Sequence, residues 1–260
     1  MAEVTGDAAI VLRLRAAGCV FAEEEAALLV AEASSEQALE SMIERRVSGE
    51  PLEYILGWAE FAGLRIIVAP GVFVPRHRTE YLASLAIELA AASAAPVVLD
   101  LCCGAGAIGA AIIEADNRVE LYAADIDEAA VACARLNLPT AAGVHVGDLF
   151  EPLPRELRGR ITVLVANTPY VPTEAIALMP PEARLYELPQ TLDGGSDGLD
   201  VQRRVATSAF DWLAPGGALL VEASDEQAET TASIFEAAGL QARIEYDDDY
   251  ETTVVVGTRR

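Results

Sequence analysis

Asn167, Thr168, Pro169 and Tyr170 form a short polar and aromatic motif directly after the apolar run at 161–166. The Asn167 side-chain oxygen and the Thr168 carbonyl can each accept one N–H of a planar –NH2 group. Two such acceptors turn the delocalised lone pair toward an electrophile and stabilise the positive charge that develops on nitrogen. Pro169 would stiffen the loop, and Tyr170 would give a flat substrate an apolar wall. The motif is therefore predicted to be catalytic and substrate-binding, the simpler alternative being a capping Asn before a proline turn.

A glycine-rich loop follows the apolar run at 97–101 and has the spacing Gly104-x-Gly106-x-x-Gly109. This spacing alone indicates a dinucleotide. Asp100, four residues before Gly104, is expected to face the ligand, where its carboxylate would repel a pyrophosphate and attract a cation. S-adenosylmethionine carries an ammonium and a sulfonium group, so the loop favours that cofactor over NAD. Gly109 has a simpler explanation as a glycine that allows close helix packing.

Two further carboxylates end the following apolar runs. Asp125 lies about twenty residues after the glycines, where a carboxylate can accept hydrogen bonds from ribose hydroxyls. Asp148 can accept the amino group of an adenine, and Leu149 or Phe150 can cover the ring. Each acid also has a simpler explanation, Asp125 as a helix N-cap and Asp148 as a turn residue. Three acids at successive strand ends together favour S-adenosylmethionine.

The elements that must position these residues follow from the apolar pattern. Short apolar runs alternate with helical stretches, which is typical of βαβ units and of a mainly parallel sheet. Seven strands are predicted, at 97–101, 119–125, 144–146, 161–166, 218–222, 242–246 and 252–257. Only an acidic run separates the last two, which should form an antiparallel hairpin. The predicted fold is α/β and resembles the Rossmann-like class I methyltransferase sheet, with its ligand crevice at the carboxyl ends of the strands.

The chain is predicted to have three parts. Residues 1–50 show apolar positions at helical spacing and form a small helical domain that covers the site or holds substrate. Residues 51–80 form a linker that begins at a Gly-Glu-Pro break and contains a hairpin around the Pro70-Gly71 turn. Residues 81–260 form the methyltransferase domain.

The charge balance restricts the partners. The 260 residues include 41 acidic and 18 basic side chains, for a formal net charge of -23. Nucleic-acid binding depends on basic side chains that neutralise phosphates, so no direct binding of nucleic acid is expected. The chain contains no lysine, which excludes Schiff-base chemistry.

The cysteines and the hydropathy pattern indicate a reducing, aqueous setting. The 4 cysteines include an adjacent pair and have no C-x-x-C spacing, so neither a disulfide framework nor a metal site is predicted. No apolar run approaches about 18 residues, and residues 1–7 lack the basic-then-apolar order of a signal peptide. We expect a soluble cytoplasmic protein without membrane association.

Four motifs, spread over most of the chain, resemble the HemK/PrmC family. They are the stretch 46–57, the stretch 60–61 with 74–80, the glycine loop at 100–109, and the Asn-Thr-Pro-Tyr run at 167–170. The stretches before residue 81 are similar to the interdomain hairpin of that family and are more specific than a Rossmann glycine pattern.

This resemblance implies a protein-(glutamine-N5) methyltransferase that modifies peptide chain release factors. It implies that S-adenosylmethionine is converted to S-adenosylhomocysteine and that residues 167–170 hold the glutamine amide. It also implies the cofactor contacts, which are Cys102, Cys103, Gly104, Ala105, Gly106, Asp125, Leu149 and Asn167.

Further hypotheses concern the substrate. Glu187 follows the catalytic motif in a segment where a mobile lid is expected, and we expect it to help position the substrate. The alternatives are methylation of a small metabolite and methylation of adenine N6, which presents a similar –NH2 group. The second needs a local arginine cluster, and Arg155, Arg158 and Arg160 are the only dense group. A catalytically silent module that binds S-adenosylmethionine is the non-enzymatic alternative.

Overall fold

The amino-terminal part of the chain is helical. The computed structural model describes residues 3–260, so residues 1 and 2, the start of the predicted helical part, lie outside the described residues. The helices are α1 (Glu3–Ala16), α2 (Ala22–Glu32), α3 (Glu36–Val47) and α4 (Leu52–Leu56). Buried Leu14, Leu29 and Ile43 join them in a small apolar cluster of their own. Ser35 begins α3 as its N-cap and accepts a hydrogen bond from the Ala38 N–H at 3.1 Å.

A two-stranded hairpin follows these helices. Strands β1 (Trp58–Phe61) and β2 (Leu64–Ile67) pair antiparallel. The turn between them is Ala62-Gly63, where φ is 49° and 75°, as a two-residue hairpin turn requires. The prediction that Pro70-Gly71 is the turn of the hairpin is therefore wrong. Those residues form a separate turn after β2, closed by a 3.0 Å hydrogen bond from the Val72 N–H to the Ala69 carbonyl.

The seven predicted strands form one mixed sheet, which confirms the predicted fold class. The strands are β3 (Val97–Leu101), β4 (Glu120–Asp125), β5 (Gly143–Val146), β6 (Ile161–Ala166), β7 (Leu213–Ala223), β8 (Gln241–Asp247) and β9 (Thr252–Thr258). Their order is β5-β4-β3-β6-β7-β9-β8. Strands β3 to β7 pair parallel with one another, and β9 runs antiparallel to both β7 and β8.

Helices cover both faces of this sheet, as a parallel sheet requires. They are α5 (Thr79–Ala91), α6 (Ala107–Ala115), α7 (Glu128–Asn137), α9 (Asp200–Trp212) and α10 (Asp225–Ala237), and the short α8 (Pro181–Tyr186) lies in the segment after β6. Alternate residues of β3 point to opposite faces, since Val98 joins one core cluster and Leu99 and Leu101 join the other. Within the described residues, no helix has the length and apolar character needed to span a bilayer.

The strand order determines where the ligand crevice lies. The chain moves outward from β3 to β4 and β5 on one side, and to β6 and β7 on the other. The connections after β3 and β6 therefore diverge, and they leave a crevice at the carboxyl ends of these two strands.

Candidate active site

A cavity of about 280 Å³ opens at the carboxyl ends of β3, β4 and β6. Its wall is built from the glycine loop, the strand ends, the chain between β2 and α5, and the segment after β6. Most of the residues singled out from the sequence line it together: Cys102, Cys103, Gly104, Ala105, Asp125, Asp148, Leu149, Asn167, Thr168, Pro169 and Tyr170. The other residues that the loop and strand-end motifs singled out are not on the wall: Asp100, Gly106, Gly109, Phe150 and Glu187.

Asp100 lies beneath the glycine loop. Its side chain is fully buried, and its Oδ2 accepts a hydrogen bond from the Gly109 N–H at 2.9 Å. Its Oδ1 has no partner among the described residues. Burial raises the pKa of Asp100 to about 7. Asp100 therefore supports the loop from below, contrary to the expectation that its carboxylate faces the ligand.

The glycines of the loop have different functions in the structure. Gly104 has a φ of 53°, and a Cβ there would have open space around it. Gly106 has a φ of 80°, and a Cβ there would lie 2.9 Å from Cδ1 of Leu138. A Cβ on Gly109 would lie 2.9 Å from Cδ2 of Leu121. Gly106 and Gly109 thus allow close packing of the loop and α6, whereas Gly104 borders the cavity.

Asp125 borders the cavity and holds two turns of the backbone. Its Oδ2 accepts the Gly104 N–H at 2.8 Å, and its Oδ1 accepts the Asp127 N–H at 2.9 Å. Burial raises the pKa of Asp125 above its usual value. The N-cap of α7 is Asp127, which accepts from the Ala130 N–H at 2.9 Å, so Asp125 does not cap that helix. Each Asp125 oxygen keeps lone-pair capacity for a ligand hydroxyl.

Asp148 is paired with a residue that the sequence reasoning missed. Nη2 of Arg204, on α9, donates to Oδ2 of Asp148 at 2.6 Å, and both residues line the cavity. Leu149, with φ 49°, lies beside them on the wall. The two partners are 56 residues apart, and no local pattern connects them.

The Asn167 side chain ends a chain of hydrogen bonds that reaches back through the wall. Its Nδ2 donates to Oγ1 of Thr79 at 3.2 Å, and the Thr79 hydroxyl donates to Oε2 of Glu222 at 2.7 Å. Oε1 of Glu222 accepts from the Tyr170 hydroxyl at 3.1 Å and from Nε of Arg78 at 3.1 Å. Arg78 also donates to the Tyr170 hydroxyl. Burial raises the pKa of Tyr170, so its phenol stays neutral.

Thr79, Arg78 and Glu222 were not assigned roles from the sequence. Arg78 and Thr79 lie in the stretch 74–80 that carries the family resemblance, and this motif was the available signal. Glu222, an acid inside the apolar strand β7, was a second signal, because a buried carboxylate needs partners.

Glu187 lies behind the cavity wall. It is 5% exposed, and its Oε1 accepts a 2.6 Å hydrogen bond from Nη2 of Arg76. The Val74 N–H approaches the same oxygen at 3.4 Å, and burial raises the pKa of Glu187. Arg76 itself lines the cavity. An effect of Glu187 on the substrate would therefore pass through Arg76.

The described residues contain no group of three or more His, Cys, Asp or Glu side chains arranged to hold a metal ion. The cavity is lined by three carboxylates, Asp125, Asp127 and Asp148, and by three basic side chains, Arg76, Arg78 and Arg204.

Comparison with known proteins identifies relatives in sequence and in fold. The Methyltransferase small domain family matches residues 63–179. The chain is 37% identical over 225 residues to the release factor glutamine methyltransferase of Geobacter sulfurreducens, covering 85% of this chain and 78% of that protein. It is 34% identical over 203 residues to 4-amino-L-phenylalanine/4-methylamino-L-phenylalanine methyltransferase of Streptomyces pristinaespiralis, covering 76% and 69%.

A solved methyltransferase from Pyrococcus furiosus has a TM-score of 0.57 at 18% identity, covering 76% of this chain and 90% of that chain. This likeness shows the shared fold. The similarity to the Geobacter protein extends over most of both chains. The chain therefore belongs to the release factor glutamine methyltransferase family and is an S-adenosylmethionine-dependent methyltransferase.

Proposed function

We propose that this enzyme methylates the side-chain amide nitrogen of a glutamine in a protein, with a peptide chain release factor as the substrate. The observation that supports this most directly is the position of Asn167 on the cavity wall. Its Nδ2 is engaged by Thr79, and its Oδ1 receives no hydrogen bond from the described residues. Oδ1 is thus available to accept an N–H of a substrate amide.

The residues of the cavity fit S-adenosylmethionine. The Gly104 backbone borders the cavity without a side chain, and the carboxylates of Asp125 and Asp148 suit hydroxyl and amino donors. Leu149 offers an apolar surface to a flat ring. We assign the cofactor contacts to Cys102, Cys103, Gly104, Ala105, Asp125, Asp148, Leu149 and Asn167. When bound, S-adenosylmethionine supplies an electrophilic methyl group on a positively charged sulfur.

The catalytic residues act by orientation. Oδ1 of Asn167 and the carbonyl oxygen of Thr168 accept the two N–H groups of the substrate amide, which turns its lone pair toward the cofactor side of the cavity. No backbone N–H of the described residues donates to the Thr168 carbonyl oxygen, so this oxygen is also available to accept a hydrogen bond from the substrate. Pro169 and Tyr170 form the wall beside them. The Tyr170 phenol stays neutral, donates a hydrogen bond to Glu222 and does not act as a base.

A division of the chain into three parts would suit a large substrate. We propose that residues 1–50 form a helical cap or substrate domain, residues 51–80 a linker, and residues 81–260 the catalytic domain. The first helices share an apolar cluster of their own, which extends past residue 50 to Ile55 in the linker. The curated relatives named release factor glutamine methyltransferases support the choice of substrate. The cytoplasmic setting stays a prediction.

The experiment that tests the proposal uses labelled S-adenosylmethionine. The enzyme is incubated with a peptide that carries Gly-Gly-Gln, the sequence that family resemblance implies, and with a matched peptide that carries Gly-Gly-Glu. We expect one added methyl mass on the glutamine peptide alone. Asn167→Ala should keep cofactor affinity and lose turnover by about 10²-fold or more. An unmodified glutamine peptide, or full turnover by Asn167→Ala, would contradict the proposal.

A second candidate is methylation of a small amine, which the Streptomyces pristinaespiralis relative favours because the substrates in its name carry an aromatic amino group. Label in the small-molecule fraction of a lysate, with none on protein, would select this candidate. Methylation of adenine N6 is disfavoured by the net charge of -23 and would appear as label in nucleic acid. A silent binding module would bind the cofactor and label no fraction.

A further inference from the structure

We infer that Thr79 and Glu222 are positioning residues, which fix the direction of the Asn167 side-chain amide through a hydrogen-bond chain that can run only one way. The inference rests on the proposed function, in which Oδ1 of Asn167 receives the substrate N–H. An Asn side chain is nearly symmetric in shape, and rotation of its amide by half a turn would present –NH2 to the substrate instead of oxygen. The neighbours of Asn167 must therefore select the orientation.

The first constraint comes from Glu222. This carboxylate is 2% exposed and lies within about 3 Å of three donor groups, one of them the guanidinium of Arg78. Glu222 forms an ion pair with Arg78 at 3.1 Å, and a carboxylate only accepts hydrogen bonds. The single hydroxyl proton of Thr79 must therefore point to Oε2 of Glu222, at 2.7 Å.

The second constraint comes from Arg78. A guanidinium only donates, so the Tyr170 hydroxyl must accept from Arg78. The hydroxyl then donates its own hydrogen bond to Oε1 of Glu222, at 3.1 Å. The donors of this cluster thus lead to Glu222 either directly or through a hydroxyl group, and the carboxylate accepts without donating.

These constraints determine the orientation of Asn167. Because the Thr79 hydroxyl uses its single proton in the hydrogen bond to Glu222, its oxygen can only accept a hydrogen bond from the Asn167 side chain, at 3.2 Å. The –NH2 group must face Thr79, and Oδ1 must face the other way. The Thr79 side of the contact is buried, with Thr79 4% exposed, so water has little access to supply an alternative partner.

The fold brings these groups together from three distant parts of the chain. Thr79 begins α5 directly after the linker, Asn167 follows β6, and Glu222 lies near the end of β7. The parallel pairing of β6 with β7 places Ala166 beside Val221, which sets Asn167 and Glu222 next to each other at one sheet edge. The start of α5 completes the chain between them.

The first test removes the hydroxyl of Thr79. Thr79→Val keeps the side-chain shape and deletes the acceptor, whereas Thr79→Ser keeps the hydroxyl and serves as the matched control. We expect kcat for the Gly-Gly-Gln peptide to fall on the order of 10- to 100-fold in Thr79→Val and by less than about 3-fold in Thr79→Ser. The Kd of S-adenosylmethionine should stay within about 3-fold in both, since Asn167 is one of several expected contacts. Equal kcat values in the two variants would overturn the inference.

The second test reverses the direction of the hydrogen bonds between Asn167, Thr79 and residue 222. In Glu222→Gln, the two donors Arg78 and Tyr170 require the amide oxygen on their side, so the new –NH2 group faces Thr79. The Thr79 proton then points to Asn167, and the Asn167 amide must rotate and present –NH2 to the substrate. We expect Glu222→Gln to lose kcat to a similar extent as Thr79→Val, with little change in thermal midpoint.

A compensating change distinguishes orientation from general damage. A carboxylate at position 167 accepts both the reversed Thr79 proton and the substrate N–H, so adding Asn167→Asp to Glu222→Gln should recover at least about 5-fold of the lost kcat. Asn167→Asp alone should be defective, because two carboxylates then share one Thr79 proton. If the double variant is no better than Glu222→Gln alone, the inference is overturned.

A readout independent of turnover is available because the chain contains only Asn117, Asn137 and Asn167. In protein labelled with ¹⁵N-asparagine, NMR shows three side-chain –NH2 pairs, and Asn167→Ala identifies the relevant one. We expect the Asn167 pair to move toward the values of exposed Asn117 in Thr79→Val and in Glu222→Gln, and to stay in place in Thr79→Ser. An unmoved pair would contradict the inference even if turnover fell.

The two failures are separable. If Asn167→Ala retains turnover, the proposed function is wrong. If Asn167→Ala is inactive and Thr79→Val and Glu222→Gln are as active as the unchanged enzyme, only the orienting role of Thr79 and Glu222 is wrong. Should Glu222→Gln fold poorly, the pair Thr79→Val and Thr79→Ser decides the question alone.

Discussion

Arg46 of α3 donates a hydrogen bond to the carboxylate of Glu182 on α8 at 2.5 Å. This contact links the amino-terminal helices to the segment that follows β6. The same guanidinium contacts Glu25 of α2 at 2.6 Å. The side chains of Arg46 and Glu25 are 9% and 11% exposed, whereas that of Glu182 is 51% exposed. One arginine therefore joins a buried ion pair to a half-exposed one.

This arrangement predicts unequal effects on stability. Arg46→Met leaves the Glu25 carboxylate buried without its partner and should lower the free energy of unfolding by about 3–5 kcal/mol. Glu182→Gln, its control, should cost less than about 1 kcal/mol, because an exposed ion pair is screened by solvent. Urea unfolding followed by circular dichroism measures both. Similar losses of unfolding free energy in the two variants would show that the buried ion pair stabilises the protein no more than the half-exposed one.

Asp100 predicts a pH dependence. Its pKa is about 7 in the folded chain and near its ordinary value of 3.8 in the unfolded chain. Between these values the unfolded chain has released the proton that the folded chain still holds, so raising the pH favours unfolding. Below pH 3.8 the effect is absent, and above pH 7 it is constant at about 4 kcal/mol.

Asp100→Asn tests this dependence. The amide oxygen can still accept from the Gly109 N–H, and the missing titration removes the pH term. We expect the stability of the variant relative to the unchanged enzyme to rise by a few kcal/mol between pH 4.5 and pH 8, measured by urea unfolding at several pH values. A difference that does not change with pH would show that Asp100 is ionised in the folded chain.

Asn137 connects the hairpin with the glycine loop. Its Nδ2 donates to the carbonyls of Ile67 and Ala105 at 2.9 and 2.8 Å, and its Oδ1 accepts the Ile67 N–H at 2.9 Å. Asn137→Ala removes three hydrogen bonds and should weaken S-adenosylmethionine binding on the order of 10-fold by loosening the loop. Asn117→Ala, at an exposed position, is the control and should bind normally. Calorimetric titration gives both affinities, and equal values would contradict the prediction.

The Arg204–Asp148 pair predicts an effect on cofactor affinity. Arg204→Ala releases the Asp148 carboxylate from its fixed position on the cavity wall and should raise the Kd of S-adenosylmethionine by about 3- to 10-fold. The neighbouring Arg203 pairs with Asp197 away from the cavity, so Arg203→Ala is a matched loss of one charge. Calorimetric titration of both variants would refute the prediction if their Kd values agreed.

Gly106 and Gly104 predict different tolerance to a methyl group. Gly106→Ala combines a φ of 80° with a Cβ 2.9 Å from Leu138, and should lower the free energy of unfolding by about 2–5 kcal/mol. Gly104→Ala has a positive φ but open space, and should cost only about 1–2 kcal/mol. Thermal and urea unfolding compare the two. A larger loss in Gly104→Ala would reverse the assignment of Gly106 as the packing glycine.

The sheet of this protein was predictable because its signals are local. Alternation of short apolar runs with helical stretches located all seven strands, and the short acidic run between the last two indicated their antiparallel pairing. Strand β7 begins at Leu213, earlier than predicted, because apolar periodicity gives no signal across the Pro-Gly-Gly stretch at 215–217. The turn of the small hairpin was misplaced because Pro70-Gly71 is a stronger turn signal than Ala62-Gly63.

The chemistry of the site was predictable from local motifs, since a glycine loop, strand-end carboxylates and an Asn-Thr-Pro-Tyr motif each indicate a function at fixed spacing. The groups that contact these residues come from distant parts of the chain and become apparent only in the folded protein. It placed Asp100 beneath the loop, Glu187 behind Arg76, and Arg204 against Asp148. The partners Thr79 and Glu222 lie 88 and 55 residues from Asn167 along the chain. Proton direction in such a cluster depends on donors and acceptors that meet only when the strands pair, so no local pattern can encode it.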